Sequence, residues 1–190
     1  MKALGILAGP RKGYTNDKLL DAALEGLKAR SAEVEKLSLY GLDIKHCTGC
    51  NMCEKTRKCV IDDDHQMVLD KMAASDAIVF ASPTYWSNVT GMAKAFFDRS
   101  PRFFDITKLG PKRLAEKPSK IILITSCGMP YPLSHLFGMA TGCMRAMKVF
   151  FGYMAKAKKK CLIASGMVDY QKSEPSKRLL KKAYNLGKNI

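Results

Sequence analysis

Residues 2–16, KALGILAGPRKGYTN, carry the reading on which the fold turns. A short apolar run ends at Gly9-Pro10, a turn follows through Gly13, and Thr15 or Asn16 offers a cap for a helix. From Asn16 to Ala29 the apolar residues Leu19, Leu20, Ala23, Leu24 and Leu27 fall on one helical face. A buried strand passing through a tight turn into an amphipathic helix is the repeating unit of an α/β sheet.

The unit recurs. AIVFAS (77–82), KIILITS (120–126) and KKCLIASG (159–166) are short runs rich in Val, Ile and Leu, closed by Gly, Pro or Ser, and read as buried strands. EVEKLSL (33–39) alternates and suits a strand nearer an edge. Amphipathic segments at 64–74, 89–99, 133–151 and 173–187 complete a pattern of five strands alternating with five helices. That order predicts a parallel sheet covered on both faces, with ligands bound beyond the carboxyl ends of the strands. The loops to inspect begin at Gly9, Pro83 and Cys127.

A chain of 190 residues, 47% hydrophobic, suits one domain, residues 1–190, with a cysteine-rich insertion at about 40–63. The formal charge of +15 favours anionic partners: nucleic acid, an anionic membrane, a phosphorylated cofactor or an acidic protein. Much of the excess lies in KAKKK (156–160) and from Lys172 to Lys188, which reads as the solvated face of a helix. Basic loops interleaved with exposed aromatics, the mark of single-strand binding, are not evident. The N-terminal segment lacks the length and cleavage site of a secretory signal. Arg145 and Lys148 interrupt the most apolar stretch, 133–154, which argues against a membrane span. A cytoplasmic location with reduced thiols is the expectation, and seven cysteines do not suggest a disulfide framework.

In the first loop, AGPRKGYTNDKLL, a helix N-terminus supplies unpaired N–H groups and the positive end of a dipole, and Arg11 and Lys12 add charge, so the turn suits a phosphate. An ordinary capped helix explains Thr15 or Asn16 but leaves Arg11 and Lys12 unused. Neither the dinucleotide fingerprint nor the ATP-binding loop is present. In the second, SPTYWSNVTGMAKAFFDR (82–99), Tyr85, the single Trp86 and Asn88 follow a strand directly, which suits a flat heteroaromatic ring, or plain packing on the next helix. The third, TSCGMPYP (125–132), is shaped by Gly128 and two prolines. Together they describe a mononucleotide site.

HCTGCNMCEKTRKC (46–59) places Cys47, Cys50, Cys53 and Cys59 at spacings of two, two and five residues. Three cysteines in series with a fourth beyond suit a [4Fe-4S] cluster. Zinc, which favours two separated C-x-x-C knuckles, and metal-free thiols are the alternatives. A loop this long within a compact domain calls for a tether, which a metal centre would provide. His46 is a candidate outer-shell partner of such a centre. Cys143 and Cys161 read as structural cysteines. Asp62-Asp63-Asp64 reads as acidic capping before a helix, and His65 and His135 as ordinary helix residues. No histidine anchors a nucleophilic triad, so no side chain is assigned as catalytic.

GPRKGYTNDKLL, CTGCNMC followed by Cys59, and SPTYWSNVTGMAKAFFDR together resemble the flavodoxin-like NADPH-dependent FMN reductase superfamily, specifically its iron-sulfur flavoprotein branch. The resemblance spans almost the whole chain, and the SPTYW loop followed by AFFDR is its most specific part. It implies a three-layer sandwich with strand order 2-1-3-4-5. It also implies that Gly9, Pro10, Arg11, Lys12, Thr15 and Asn16 hold the phosphate of FMN, while Pro83, Thr84, Tyr85, Trp86, Asn88, Ser126, Cys127 and Gly128 surround its ring. Family members commonly carry Ser where this chain has Gly9.

The function expected is electron transfer through FMN and a [4Fe-4S] cluster, from NAD(P)H or an acidic carrier such as ferredoxin to an acceptor. One alternative is an NAD(P)H-dependent FMN or quinone reductase without a functional cluster. Another is a zinc-containing basic module that binds nucleic acid, which would leave Tyr85, Trp86 and the phosphate-like turn without purpose. The 133–151 helix is apolar on more than one face, which predicts a homodimer or homotetramer.

Overall fold

Five strands, β1 (Lys2–Leu7), β2 (Glu33–Ser38), β3 (Ala77–Pro83), β4 (Lys120–Cys127) and β5 (Lys158–Ser165), lie in the order β2-β1-β3-β4-β5, and every adjacent pair is parallel. The structure is a computed structural model and describes residues 1–56, 59–100, 118–154, 157–167 and 174–190. Helices α1 (Thr15–Lys28), α2 (Met52–Thr56), α3 (His65–Ala74), α4 (Gly91–Asp98), α5 (Leu133–Leu136), α6 (Met139–Met154) and α7 (Lys177–Lys188) connect and follow the strands. The sheet and its order are those expected of the flavodoxin-like fold.

Strand residues alternate between two cores because successive side chains point to opposite faces. Leu4, Ile6, Ile78, Phe80, Ile121 and Leu123 share a cluster with Val68 and Met72 of α3, Phe96 of α4 and Met147 and Phe151 of α6. Ala3, Leu7, Val79, Ala81, Ile122 and Ile124 share the other with Leu19, Leu20, Ala23 and Leu27 of α1 and Ala183 of α7. α1 and α7 cross backbone to backbone: a Cβ on Gly26 would collide with the Tyr184 carbonyl, and one on Gly187 with the Ala23 carbonyl.

Two expectations change in detail. The helix read over 133–151 is broken, because Gly138 adopts φ 71° and ends the first short segment before α6 begins. The last helix starts at Lys177, where the Ser176 hydroxyl accepts from the Leu179 N–H, and Ser173 lies outside the described residues. Lys158, Lys159 and Lys160 lie in edge strand β5, in line with the strand read over 159–166. Lys156 and Lys172 lie outside the described residues. No helix among the described residues is long and apolar enough to cross a membrane.

Candidate cofactor site and cysteine loop

The carboxyl ends of β1, β3 and β4 meet around an open cavity of about 140 Å³ lined by Gly9, Pro10, Arg11, Thr15, Asn16, Pro83, Thr84, Tyr85, Ser126 and Gly128, with Tyr14 and Met167 in addition. The loops are joined by backbone hydrogen bonds: Ala8 N–H to Ala81 O at 2.8 Å, and Thr84 N–H to Ser126 O at 2.8 Å. Thr90, fully buried at the N-cap of α4, donates to Ala8 O at 2.6 Å and accepts from Ala93 N–H, so one side chain ties the first loop to the second. Gly9 is required by this closeness, since a Cβ there would stand 2.9 Å from Pro83 Cδ.

The phosphate-like turn is held from below. Gly13, at φ 76°, donates its N–H to Asp17 Oδ2 at 2.6 Å, and Asp17 Oδ1 meets Lys36 Nζ at 2.6 Å. Lys36 also pairs with Asp21 at 2.5 Å. Burial works against the Lys36 ammonium, but its hydrogen bonds to Asp17 and Asp21 prevail and raise its pKa. Arg11 lies over Tyr14, with Cζ 5.3 Å from the ring centroid.

Asn16 supplies the decisive polar group. It is 7% exposed, its amide nitrogen donates to Ser126 Oγ at 2.6 Å, and its Oδ1 is buried without a partner. Exchanging amide N and O is isosteric and would let Ser126 donate, freeing two N–H donors at the start of α1. A buried amide with unused capacity beside a helix N-terminus and Arg11 fits a phosphate-bearing ligand. The donors and the aromatic Tyr85 beside them fit FMN.

Not every expected residue reaches the cavity. Lys12 and Asn88 do not line it; Asn88 closes a two-residue turn instead, exchanging backbone hydrogen bonds of 2.9 Å with Tyr85 and accepting from Val89 N–H. Trp86 and Ser87 form the tip of that turn at φ 49° and 59°, the left-handed pair of a type I′ hairpin. Trp86 is 99% exposed and stands outside the cavity lining. The tip is seated on α6 at Gly142, where any Cβ would collide with the Ser87 carbonyl. Cys127 is buried in β4, and its carbonyl accepts from Met167 N–H at 3.0 Å. That bond brings Met167 from the end of β5 to the cavity. Sequence reasoning missed it, although a fourth strand end was a signal. Thr84 Oγ1 meets Thr125 Oγ1 at 3.1 Å, and Thr125 donates to the buried Cys143 sulfur at 3.2 Å. Burial pushes the Cys143 thiol pKa up, which makes it a structural thiol.

The seven cysteines form no disulfide. Cys47 and Cys50 are exposed, Cys59 is half-buried and Cys53 is 1% exposed on α2. Gly49, at φ 68°, turns its N–H to Cys47 Sγ at 3.5 Å. Among the described residues no three His, Cys, Asp or Glu side chains converge to hold a metal ion. The donor set, four thiols in one loop, matches an iron-sulfur cluster in type and order; its arrangement is open.

The base of this loop is closed by protein groups. Arg99, 3% exposed after α4, forms a two-pronged pair with Asp63 and donates to Lys45 O at 3.1 Å, Ile61 O at 3.2 Å and Cys59 Sγ at 3.5 Å. The acidic run therefore does more than cap. Asp64 is the N-cap of α3 but its side chain accepts from Asp43 N–H instead of from the helix. Asp63 accepts from Lys45 N–H at 2.8 Å and His65 N–H at 3.1 Å. Burial works against the Asp63 carboxylate, but Arg99 and those two N–H groups prevail and hold its pKa down to about 2. His65 is 1% exposed, with Nε2 3.1 Å from Phe96 O and 3.2 Å from Ser100 Oγ. Burial first, and Arg99 second, depress its pKa to about 4.

A model of the NADPH-dependent FMN reductase family matches residues 1–159. An iron-sulfur flavoprotein of Archaeoglobus fulgidus is 44% identical over 99 residues, 52% of this chain and 45% of its own length. One of Methanosarcina thermophila is 40% identical over 100 residues, 53% of this chain and 52% of its own length. The chain spans about half the length of the curated relatives it matches. Among solved structures, an NAD(P)H:quinone oxidoreductase from Methanothermobacter marburgensis superposes with a TM-score of 0.78 at 20% identity, covering 100% of this chain and 96% of that one. An azoreductase from Bacillus anthracis gives 0.75 at 17% identity, covering 100% and 99%. At such identities the likeness is one of fold.

Proposed function

This chain belongs to the NADPH-dependent FMN reductase family, and from that premise we propose that it is a flavin-dependent oxidoreductase. It binds FMN in the cavity between the β1, β3 and β4 loops and moves electrons from NAD(P)H or an acidic carrier such as ferredoxin to an acceptor. Cys47, Cys50, Cys53 and Cys59 hold a [4Fe-4S] cluster. FMN when bound exchanges hydride with a nicotinamide or single electrons with a carrier, and the cluster relays single electrons. The chain's own groups bind and orient. Arg11, Thr15 and Asn16 grip the phosphate, Asp17 keeps the Gly13 turn in shape, and Pro83, Thr84, Tyr85, Ser126 and Gly128 bound the ring.

The buried Asn16 amide with an unused polar atom carries this reading, since burying such a group without a partner is costly. The cluster is supported by the four thiols in one loop and by the name of the relatives, iron-sulfur flavoprotein. A second reading, an NAD(P)H-dependent FMN or quinone reductase without a functional cluster, is favoured by the open arrangement of those thiols.

The exposed apolar side chains Trp86, Tyr131, Leu136 and Phe137 support self-association as a homodimer or homotetramer. The charge of +15 supports steering of an acidic donor, whose reduction rate would then fall steeply with added salt.

The test is an anaerobic titration with FMN, joined to iron and acid-labile sulfide assays on the reconstituted chain. Stoichiometric flavin uptake with iron and sulfide is expected. Folded protein that takes up no flavin overturns the proposal, and flavin without iron selects the second reading.

A further inference from the structure

The Arg99 side chain is the best-connected buried cation among the described residues, and the role assigned to the cysteine loop does not yet account for it. An Arg–Asp pair alone is a weak reason to bury a guanidinium, because desolvation offsets most of the attraction. The other acceptors supply the reason. Lys45 O precedes the four cysteines, Cys59 Sγ is the last of them, and Ile61 O and Asp63 follow. One planar fork therefore clamps both stems of the loop and touches one of its sulfurs.

The clamp is rigidly mounted. Arg99 follows α4 directly, and the opposite end of that helix is fixed by Thr90 to the Ala8 carbonyl beside the candidate flavin cavity. Asp63 adds the Lys45 and His65 N–H groups to the same knot. Arginine suits the position because its N–H donors are held in a plane, whereas a lysine ammonium is a point charge that cannot span four acceptors at once.

We propose that Arg99 is a positioning residue for the redox centre: it holds the loop closed at its base and donates an N–H to Cys59 Sγ, which raises the reduction potential of the cluster. This inference rests on the cluster reading above. A hydrogen bond to a ligand sulfur, with positive charge beside it, stabilises the reduced and more negative cluster.

The experiment compares reconstituted wild type with Arg99→Lys and Arg99→Gln by three measurements: iron and sulfide content, the midpoint of an EPR-monitored redox titration, and the rate at which a chelator bleaches the cluster. FMN uptake reports that each variant is folded. Both variants are expected to shift to lower potential and to lose the cluster about tenfold faster, the scale of one charge-assisted hydrogen bond. Arg99→Lys keeps the charge opposite Asp63, so it carries the test should Arg99→Gln fail to fold. Fully loaded variants with the wild-type potential and bleaching rate would overturn the role of Arg99 while leaving the cluster reading intact. Wild type that takes up no iron and sulfide would overturn the cluster reading, and this inference with it.

Discussion

Asp63 and Arg99 form an ion pair whose side chains are 0% and 1% exposed, with Asp63 Oδ1 2.9 Å from Arg99 Nη2. They are 36 positions apart, and they close the neck of a loop whose other known feature is its cysteines.

Replacing one partner of this pair strands the other. Asp63→Asn leaves a buried guanidinium without its counter-charge, and a loss of about 3–5 kcal/mol of folding stability is expected. Urea denaturation of the apo chain measures it. A loss under about 1 kcal/mol, the scale of a surface pair, would show the neck to be open to water in solution.

Acid should weaken the fold in two stages. In the unfolded chain His65 takes a proton near its ordinary value of 6.5, but in the folded chain only near 4, so its contribution is complete above the upper value and drains away as pH falls toward the lower one. The expected loss is roughly 3 kcal/mol, as a depression of this size implies. Asp63 acts lower, its contribution being present above the ordinary 3.8 and lost as pH approaches about 2. Denaturation midpoints at a series of pH values test this. His65→Asn should flatten the upper stage, and an unchanged slope would assign that stage to other groups.

The crossing of α1 on α7 tolerates no side chain. Gly26→Ala or Gly187→Ala must push the two helices apart, for a cost of about 1–3 kcal/mol from overpacking. Thermal denaturation reads the effect. An alanine variant as stable as the parent would mean that α7 docks more loosely than this.

Asn16→Ala separates binding from folding. Removing an under-used buried amide should change apo stability by no more than about 1 kcal/mol, while the FMN dissociation constant rises about tenfold or more for a hydrogen bond to a charged group. Fluorescence titration and denaturation together decide. Unchanged affinity would remove Asn16 from the phosphate site.

Trp86 buries nothing within its own chain. Trp86→Ala should leave the monomer's stability within about 0.5 kcal/mol of the parent, as for a surface substitution, and weaken self-association. Sedimentation velocity over a concentration series gives the result. A stability loss without a change in association would contradict the exposed placement.

The strands and most helices were legible in the chain because their signals are local. Apolar alternation, helical spacing and Gly or Pro stops located all five strands to within about one residue, well inside the usual boundary error. The break at Gly138 escaped notice because the apolar pattern runs on through it. Trp86 was expected on a cavity wall from its aromatic ring, its place directly after a strand and the family resemblance, and the left-handed turn at residues 86 and 87 carries it outward instead.

Residue order by itself determined the α/β alternation, the parallel sheet and the loops in which chemistry gathers, since each depends on neighbours within a few positions. Only tertiary structure decided that Asn16 meets Ser126, that Met167 joins the cavity, and that Arg99 reaches back to Lys45, Cys59 and Asp63. Those contacts join residues brought close by packing of the sheet and its helices, and no periodicity along the chain records which distant partner a buried polar group will find.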